Sequence, residues 1–434
     1  MTENTQQPQR DGTPAPTGAD LTIGATSVPD QTVAGYARLW WQRVRGGELG
    51  SLPIIVALIV IALIIGVSLI GVRIFDDAFL TERNFTSRLL QMAAVATLAI
   101  GTVFVLLIGE IDLSVAYVSA VGGVVMTLLI RTDNPGWPWW LAILAAVTVT
   151  TVIGLLQSIV ITKAGVPSFV VTLAGLLIWS GVVLILMTQV TSTGTIRISD
   201  ERIVGLANNF LSDAGGYILG ALVVGGFALS QSLTARSRRA GGLEAKPTLI
   251  IALQVVGLAV VTFAAVYYAN LDRGVPTATV ILGAFLVFWS FVAARTPFGR
   301  HVYAVGGNPE AARRAGISVD RIRMLVFMIN GFMVGVGGVM LASRLRSVAT
   351  GSGGGDLLLS IIAAAVIGGT SLFGGTGRVV AALLGATVIA SINSGMNLLG
   401  LPQGTRFVIT GLVLLGAVLV DALSKRARAA RGLA

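Results

Sequence analysis

The chain has 434 residues, 54% of them hydrophobic and 12% charged, with 30 Lys+Arg against 20 Asp+Glu. A soluble domain carries about twice that charged fraction. Apolar runs of the roughly 20 residues needed to span a bilayer recur along most of the chain, which excludes a soluble enzyme with a small anchor. There are no cysteines and one histidine, His301, so disulfides and thiol chemistry are excluded, and His-based metal clusters or a Ser-His-Asp triad are disfavoured. The expected class is an all-α polytopic integral membrane bundle.

In chain order, residues 1–35 are rich in Thr, Pro, Gln, Gly and Asp without apolar periodicity, the composition of a disordered tail. No cleavable signal pattern fits them. Residues 36–50 carry Trp40, Trp41, Arg38, Arg43 and Arg45 and read as an interfacial segment. Spans are expected near 52–71, 88–108, 114–130, 139–161, 168–187, 215–233, 248–269, 276–294, 324–343, 358–377, 379–398 and 405–422, about 12 in all. This divides the chain into a tail at 1–50, a transmembrane domain at 51–423 and a basic tail at 424–434. The basic residues gather in three stretches: Arg236, Arg238, Arg239 and Lys246; Arg295, Arg300, Arg313, Arg314, Arg321 and Arg323; and Lys425, Arg426, Arg428 and Arg431. An even number of spans puts all three, with the N-terminal arginines, in the cytoplasm, as the positive-inside rule requires. Both termini are then cytoplasmic.

Two apolar runs are interrupted by glycine-containing polar stretches: Gly109-Glu110-Ile111-Asp112-Leu113-Ser114 in one, and Gly368-Gly369-Thr370-Ser371-Leu372-Phe373-Gly374-Gly375-Thr376-Gly377 in the other. Non-helical backbone is tolerated at membrane depth only against protein or a water-filled cavity. The stretches therefore read either as broken helices on a transport pathway or as tight loops at the cytoplasmic surface. Glu110 and Asp112 are acids between apolar segments, which are usually functional or paired. Asp112 also suits a helix N-cap before Ser114.

The loop 298–322 is the most informative hydrophilic stretch. Gly306-Gly307-Asn308-Pro309 is a turn signal, Pro309 can open a helix, and Glu310-Ala311-Ala312-Arg313-Arg314-Ala315 favours one until Gly316. A short helix with a small face and a basic face suits a partner that supplies carboxylates; the alternative is a solvated basic anchor. Gln91, Gln157, Asn330, Asn393 and Asn397 place amides in apolar spans, where bonding to a neighbouring helix is the default. Together with hydroxyls they suit a neutral hydroxylated solute, and Gln91, Asp112, Ser114, Asn330, Asn393 and Asn397 are the candidate pathway residues. Gly331, Gly335, Gly337 and Gly338 form a small-residue face for helix packing. His301, beside Arg300, reads as an interfacial loop residue. The chain lacks a GxxxxGK[ST] phosphate loop, so any ATP hydrolysis belongs to another chain.

Taken as a set, Gly109 to Ser114, the loop from Phe298-Gly299-Arg300 to Ile317, and Val366-Ile367-Gly368-Gly369-Thr370-Ser371 with Asn393-Ser394-Gly395-Met396-Asn397 resemble the permease subunits of bacterial monosaccharide ABC importers. The likeness runs over about residues 50–425. It is nearest to the xylose-type branch, which is similar in the extra pair of spans at about 215–269, at Gly165-Val166-Pro167-Ser168-Phe169 and at Arg273-Gly274-Val275-Pro276-Thr277. Ala116 stands where the family pattern usually has Gly.

The resemblance implies an alternating-access permease of the bacterial inner membrane, for a pentose such as xylose. It implies a homodimer served by an ATP-binding-cassette ATPase subunit and an extracytoplasmic sugar-binding protein. Asn308, Pro309, Glu310, Ala311, Ala312, Arg313, Arg314, Ala315 and Gly316 then correspond to the helix that docks on the ATPase. No catalytic residue, metal site or bound cofactor is expected on this chain, with ATP and Mg on the ATPase and no nucleic-acid partner. The competing readings are an ion-coupled secondary transporter, a membrane-embedded enzyme, and the same architecture carrying a branched-chain amino acid.

Overall fold

The computed structural model describes residues 81–131, 136–242 and 246–429. The expected tail at 1–50, the span at 52–71 and the last residues of the basic tail lie outside the described residues. The elements are α1 Glu82–Leu107, α2 Val115–Leu129, α3 Trp139–Lys163, α4 Ser168–Val190, β1 Thr195–Arg197, α5 Glu201–Asn208, α6 Asp213–Ala240, α7 Thr248–Asn270, α8 Thr277–Arg295, α9 Pro297–Gly307, α10 Pro309–Arg314, α11 Val319–Leu345, β2 Ser347–Ala349, α12 Leu357–Ile367, α13 Val380–Leu398 and α14 Gln403–Ala429.

Local chemistry sets many of these starts. Thr81 caps α1 by accepting the Asn84 N–H at 3.3 Å. Pro138, Pro167, Pro247 and Pro276, all extended, stand immediately before α3, α4, α7 and α8, where a missing N–H costs nothing. Nine helices among the described residues are long and apolar enough to cross a membrane, and α2 and α12 are shorter apolar helices.

Burial divides the bundle into centre and rim. In α1, 89% of the apolar window is buried inside the protein, against 11%, 6% and 6% in α6, α7 and α14. The rim helices thus turn their leucines and valines outward, as lipid-facing helices do. The centre is α1, α11 and α13, with α2, α3 and α12 packed on them. The glycine face of α11 makes this density possible. A Cβ on Gly331 would come within 2.4 Å of the Thr150 carbonyl oxygen, and one on Gly338 within 2.2 Å of that of Ser119.

The basic stretches collect at one end. Arg295 on α8 donates to Thr234 Oγ1 on α6 at 3.4 Å, and Asp421 on α14 reaches Ser371 of the second interruption. At the opposite end β1 and β2 pair antiparallel, Ile196 opposite Val348, beside α5.

Three expectations need correction. The span at 358–377 is helical only over Leu357–Ile367. That at 114–130 is a helix of 15 residues, short for a crossing. Gly306 and Gly307 do not form a turn but close α9, so the turn shrinks to Asn308. Gly306 is required there because a Cβ would lie 1.7 Å from the Leu107 carbonyl oxygen. The region after 190 also holds β1 and α5, for which the sequence carried no spanning signal.

Candidate coupling surface and polar break

The helix α10 is built as its residues suggest. Asn308 Oδ1 accepts the Ala311 N–H at 3.0 Å, capping the start. At the other end Ile317 N–H donates to Ala312 O and Gly316 N–H to Arg313 O, both at 3.0 Å, with Gly316 at φ +84. This is the double-bonded stop that needs a left-handed residue. Ala312 is buried and fastens the helix to the bundle. Asn308, Glu310, Ala311, Arg313, Arg314, Ala315 and Gly316 are exposed and Pro309 half-buried. Arg313 pairs with Glu310 at 2.6 Å in solvent, while Arg314 has no ion-pair partner among the described residues. His301 is exposed on α9.

Both interruptions are real, and they meet. Between α1 and α2 the chain is non-helical over 108–114, and between α12 and α13 over 368–379. Gly375 N–H donates to Leu107 O at 2.9 Å, and Gly374 stands against Gly109 and the Gly306 carbonyl. Tyr303 on α9 donates its hydroxyl to Gly377 O at 2.9 Å. Burial pushes the Tyr303 phenol up from its ordinary value of 10.0, against the pull of the Arg378 charge. The segment beneath the short helix therefore holds both interruptions at the basic end.

From that junction the first interruption climbs into the bundle. Glu110 pairs with Arg323 near the start of α11 at 3.0 Å, and Asp112 reaches Asn330 two turns higher, about 10 Å along α11. Asn330 Nδ2 donates to Asp112 Oδ2 at 2.7 Å, and Ser114 donates its N–H at 2.8 Å and its Oγ at 2.7 Å to Oδ1. Gln157 on α3 donates to Ser114 Oγ at 2.9 Å. Asp112 thus serves the Ser114 N–H rather than the free N–H groups of the first turn of α2. Ser168 accepts the Ile111 N–H at 3.3 Å, and Thr172 donates to Ile111 O at 3.2 Å. Asp112, Ser114, Gln157 and Asn330 are 4%, 0%, 7% and 1% exposed. They form one sealed polar brace where α2 begins at mid-depth.

A second dip reaches the same level from the opposite end. After β2 the chain descends through Gly351-Ser352-Gly353-Gly354-Gly355 until Gly353 lies against Ala116 and Tyr117, and α12 starts from there. Ala116, where the resembled pattern has glycine, is 1% exposed, and its backbone carbonyl faces Gly353. The glycine run was a readable turn signal, but nothing in it gave depth.

The remaining candidates lie elsewhere. Gln91 is half-buried on α1, as Asn393 is on α13. Asn397 is exposed at the opposite end and accepts from Arg406, near Ser394, which donates to Asn84 at 2.9 Å. The structure joins Asp112, Ser114 and Asn330 and keeps Gln91, Asn393 and Asn397 apart from them. Gln157, Arg323 and Asp421 enter the site only in three dimensions. Gln157 could have been grouped with Ser114 as a second buried polar residue, and Asp421 was visible as a lone acid in an apolar run. At the opposite end lies a pocket of about 640 Å³ whose lining includes Thr127, Arg131, Arg197 and Asp200.

Residues 84–420 match the family model described as "Branched-chain amino acid transport system / permease component". The chain is 37% identical over 352 residues to the xylose transport system permease protein XylH of Escherichia coli (strain K12), covering 81% of this chain and 88% of that one. It is 32% identical over 353 residues to the L-arabinose ABC transporter permease protein AraH of Azospirillum brasilense, covering 81% and 84%. It is 31% identical over 349 residues to the ribose import permease protein RbsC of Bacillus subtilis (strain 168), covering 80% and 87%. No solved structure matches the chain.

Proposed function

The chain belongs to the family of branched-chain amino acid transport system permease components, and from that premise we propose that it is the membrane subunit of an ABC importer for a monosaccharide, with xylose the foremost candidate. It is a multi-pass inner-membrane protein and a transport component, not an enzyme. Relatives named for xylose, L-arabinose and ribose favour a sugar over a branched-chain amino acid despite the family's description. They also favour an ATP-driven importer over an ion-coupled carrier.

The observation that carries the mechanism is α10: a capped helix of six residues, anchored by buried Ala312 and exposed on its other faces. In this reading Asn308 to Gly316 dock on an ATPase subunit, with Ala311 and Gly316 allowing close approach and Arg314 free to meet a carboxylate. The basic end, and both termini with it, face the cytoplasm, and a sugar-binding protein delivers solute at the opposite end. Two copies of the chain enclose the route. Asp112, Ser114 and Asn330 hold the half-helix beside that route, while Gln91, Asn393 and Asn397 lie nearer its outer mouth. Closure of the ATPase domains shifts α10 and switches the opening from one side to the other.

The test is accumulation in liposomes holding this chain and its ATPase, with binding protein supplied outside and ATP within. Xylose uptake is expected only with all three and ATP. Ala311→Trp and Gly316→Trp are expected to abolish uptake while the chain still inserts. Uptake that persists without the ATPase and collapses with an ion gradient would establish the secondary transporter instead.

A further inference from the structure

The stop at Gly316 and Ile317 leaves only Ala315 to Ser318 between α10 and the next helix. Ser318 follows at once, and α11 begins at Val319, which is buried. Arg323, in the second turn of α11, then crosses to Glu110 at 3.0 Å, with the two side chains only 28% and 12% exposed. Nothing else among the described residues offers Arg323 a carboxylate, and its Nε is buried without a hydrogen-bond partner. Asp320 and Arg321, the other charged groups of this turn, form no ion pair among the described residues. Two turns on, the same helix supplies Asn330 to Asp112. A single helix, joined to the exposed α10 through Ala315 to Ser318, therefore grips the non-helical segment 108–114 at Glu110 and at Asp112.

A partly desolvated ion pair of this kind contributes little net stability, because losing water offsets much of the attraction. Removing one partner is nevertheless costly, since a charge is left without its counter-ion. What such a pair enforces is relative position. It fixes Glu110, three residues past the end of α1, to the first turns of α11, so a rigid shift of α10 and α11 cannot occur without moving the segment that leads to Asp112.

We infer that the Glu110–Arg323 ion pair is the positioning element that transmits displacement of α10 into the 108–114 break. This rests on the ABC-importer reading and adds the link between the docking surface and the route. The two residues touch neither solute nor ATP and act through Asp112 and the half-helix α2.

The experiment uses the permease assembled with its ATPase and binding protein in liposomes, with xylose as solute. The variants are Glu110→Gln, Arg323→Gln, Glu110→Arg, Arg323→Glu and the double exchange. Three quantities are read: ATPase subunit co-purified, ATP hydrolysed, and xylose accumulated per ATP. Each single variant is expected to retain the ATPase and hydrolyse ATP within about twofold of the parent. Xylose per ATP is expected to fall about tenfold or more, the scale of a typical coupling energy. The double exchange is expected to recover the ratio to within about threefold. A pair that only stabilises the fold would lower yield and melting temperature at an unchanged ratio, which overturns the inference, as would single variants that transport normally or a double exchange that recovers nothing. If the charge reversals do not fold, the two glutamine variants decide by the same ratio. A parent protein that binds no ATPase rejects the importer reading itself, and this inference with it, before any variant is made.

Discussion

The breaks at 108–114 and 368–379 interrupt apolar runs alike and meet at the basic end, yet they are secured by different means. The first is held by side chains. Glu110, Asp112 and Ser114 find Arg323, Asn330 and Gln157 on two other helices. The second is held largely by backbone. Gly369, Gly374, Gly375 and Gly377 take positive φ, the Ser371 N–H closes onto Thr376 O at 3.0 Å, and from outside come mainly Tyr303 and Asp421. Asp421 accepts from Ser371 Oγ at 3.0 Å and the Leu372 N–H at 3.3 Å. The difference follows from depth. A chain rising to mid-membrane has no water to satisfy its polar groups and must bring partners with it. A chain turning at the basic end needs tight curvature more than partners.

That contrast can be broken at three levels. The largest effect is expected where the two breaks join. Gly306→Val pushes side-chain atoms into the Leu107 carbonyl and should cost more than about 3 kcal/mol, seen as loss of folded protein in detergent. A normal melting temperature would show that the junction yields easily. Next, the side-chain break should be more sensitive to a lost carboxylate than the backbone one. Asp112→Ala strands Asn330 and Ser114 at a cost of about 2–4 kcal/mol. Asp421→Ala removes a carboxylate that is itself only half-buried from the Ser371 hydroxyl and the Leu372 N–H and should cost about 1–2 kcal/mol. Thermal unfolding of the two variants side by side gives the ordering, and equal losses would erase the distinction between the breaks.

The smallest effect is a pH dependence at the second break. Since burial raises the Tyr303 value above 10.0, the folded state holds the phenol proton more tightly than the unfolded chain. The associated stability is complete below pH 10 and is lost as pH rises through the higher folded value. Melting temperature measured across that alkaline range should fall less steeply for Tyr303→Phe than for the parent. Parallel curves would mean that the Tyr303 phenol holds its proton no more tightly in the fold than in the unfolded chain.

Much of the bundle is readable from residue order because its causes are local. Apolar runs of bilayer length give the long helices, prolines mark the starts of α3, α4, α7 and α8, and Asn308-Pro309 with Gly316 delimits α10 within a residue. Glycines among acids and hydroxyls mark both breaks. The motifs at 109–114 and 298–317 also lead to the right family, because they sit where the chain departs from plain hydrophobicity.

Contacts distant in sequence, and depth, were settled only by folding. Asn330 and Asp112 are 218 positions apart, and no local pattern distinguishes the amide that meets a carboxylate from Asn393 or Asn397, which do not. A glycine run such as 351–355 has the same composition at the surface or halfway through a membrane. Whether it descends depends on Ala116 and Tyr117 being there to receive it. Hydrophobic runs and turn residues act through neighbours a few positions away, and so are written in the chain. Which polar group is sealed against which other depends on how the helices are arranged around α1 and α11, and that exists only in three dimensions.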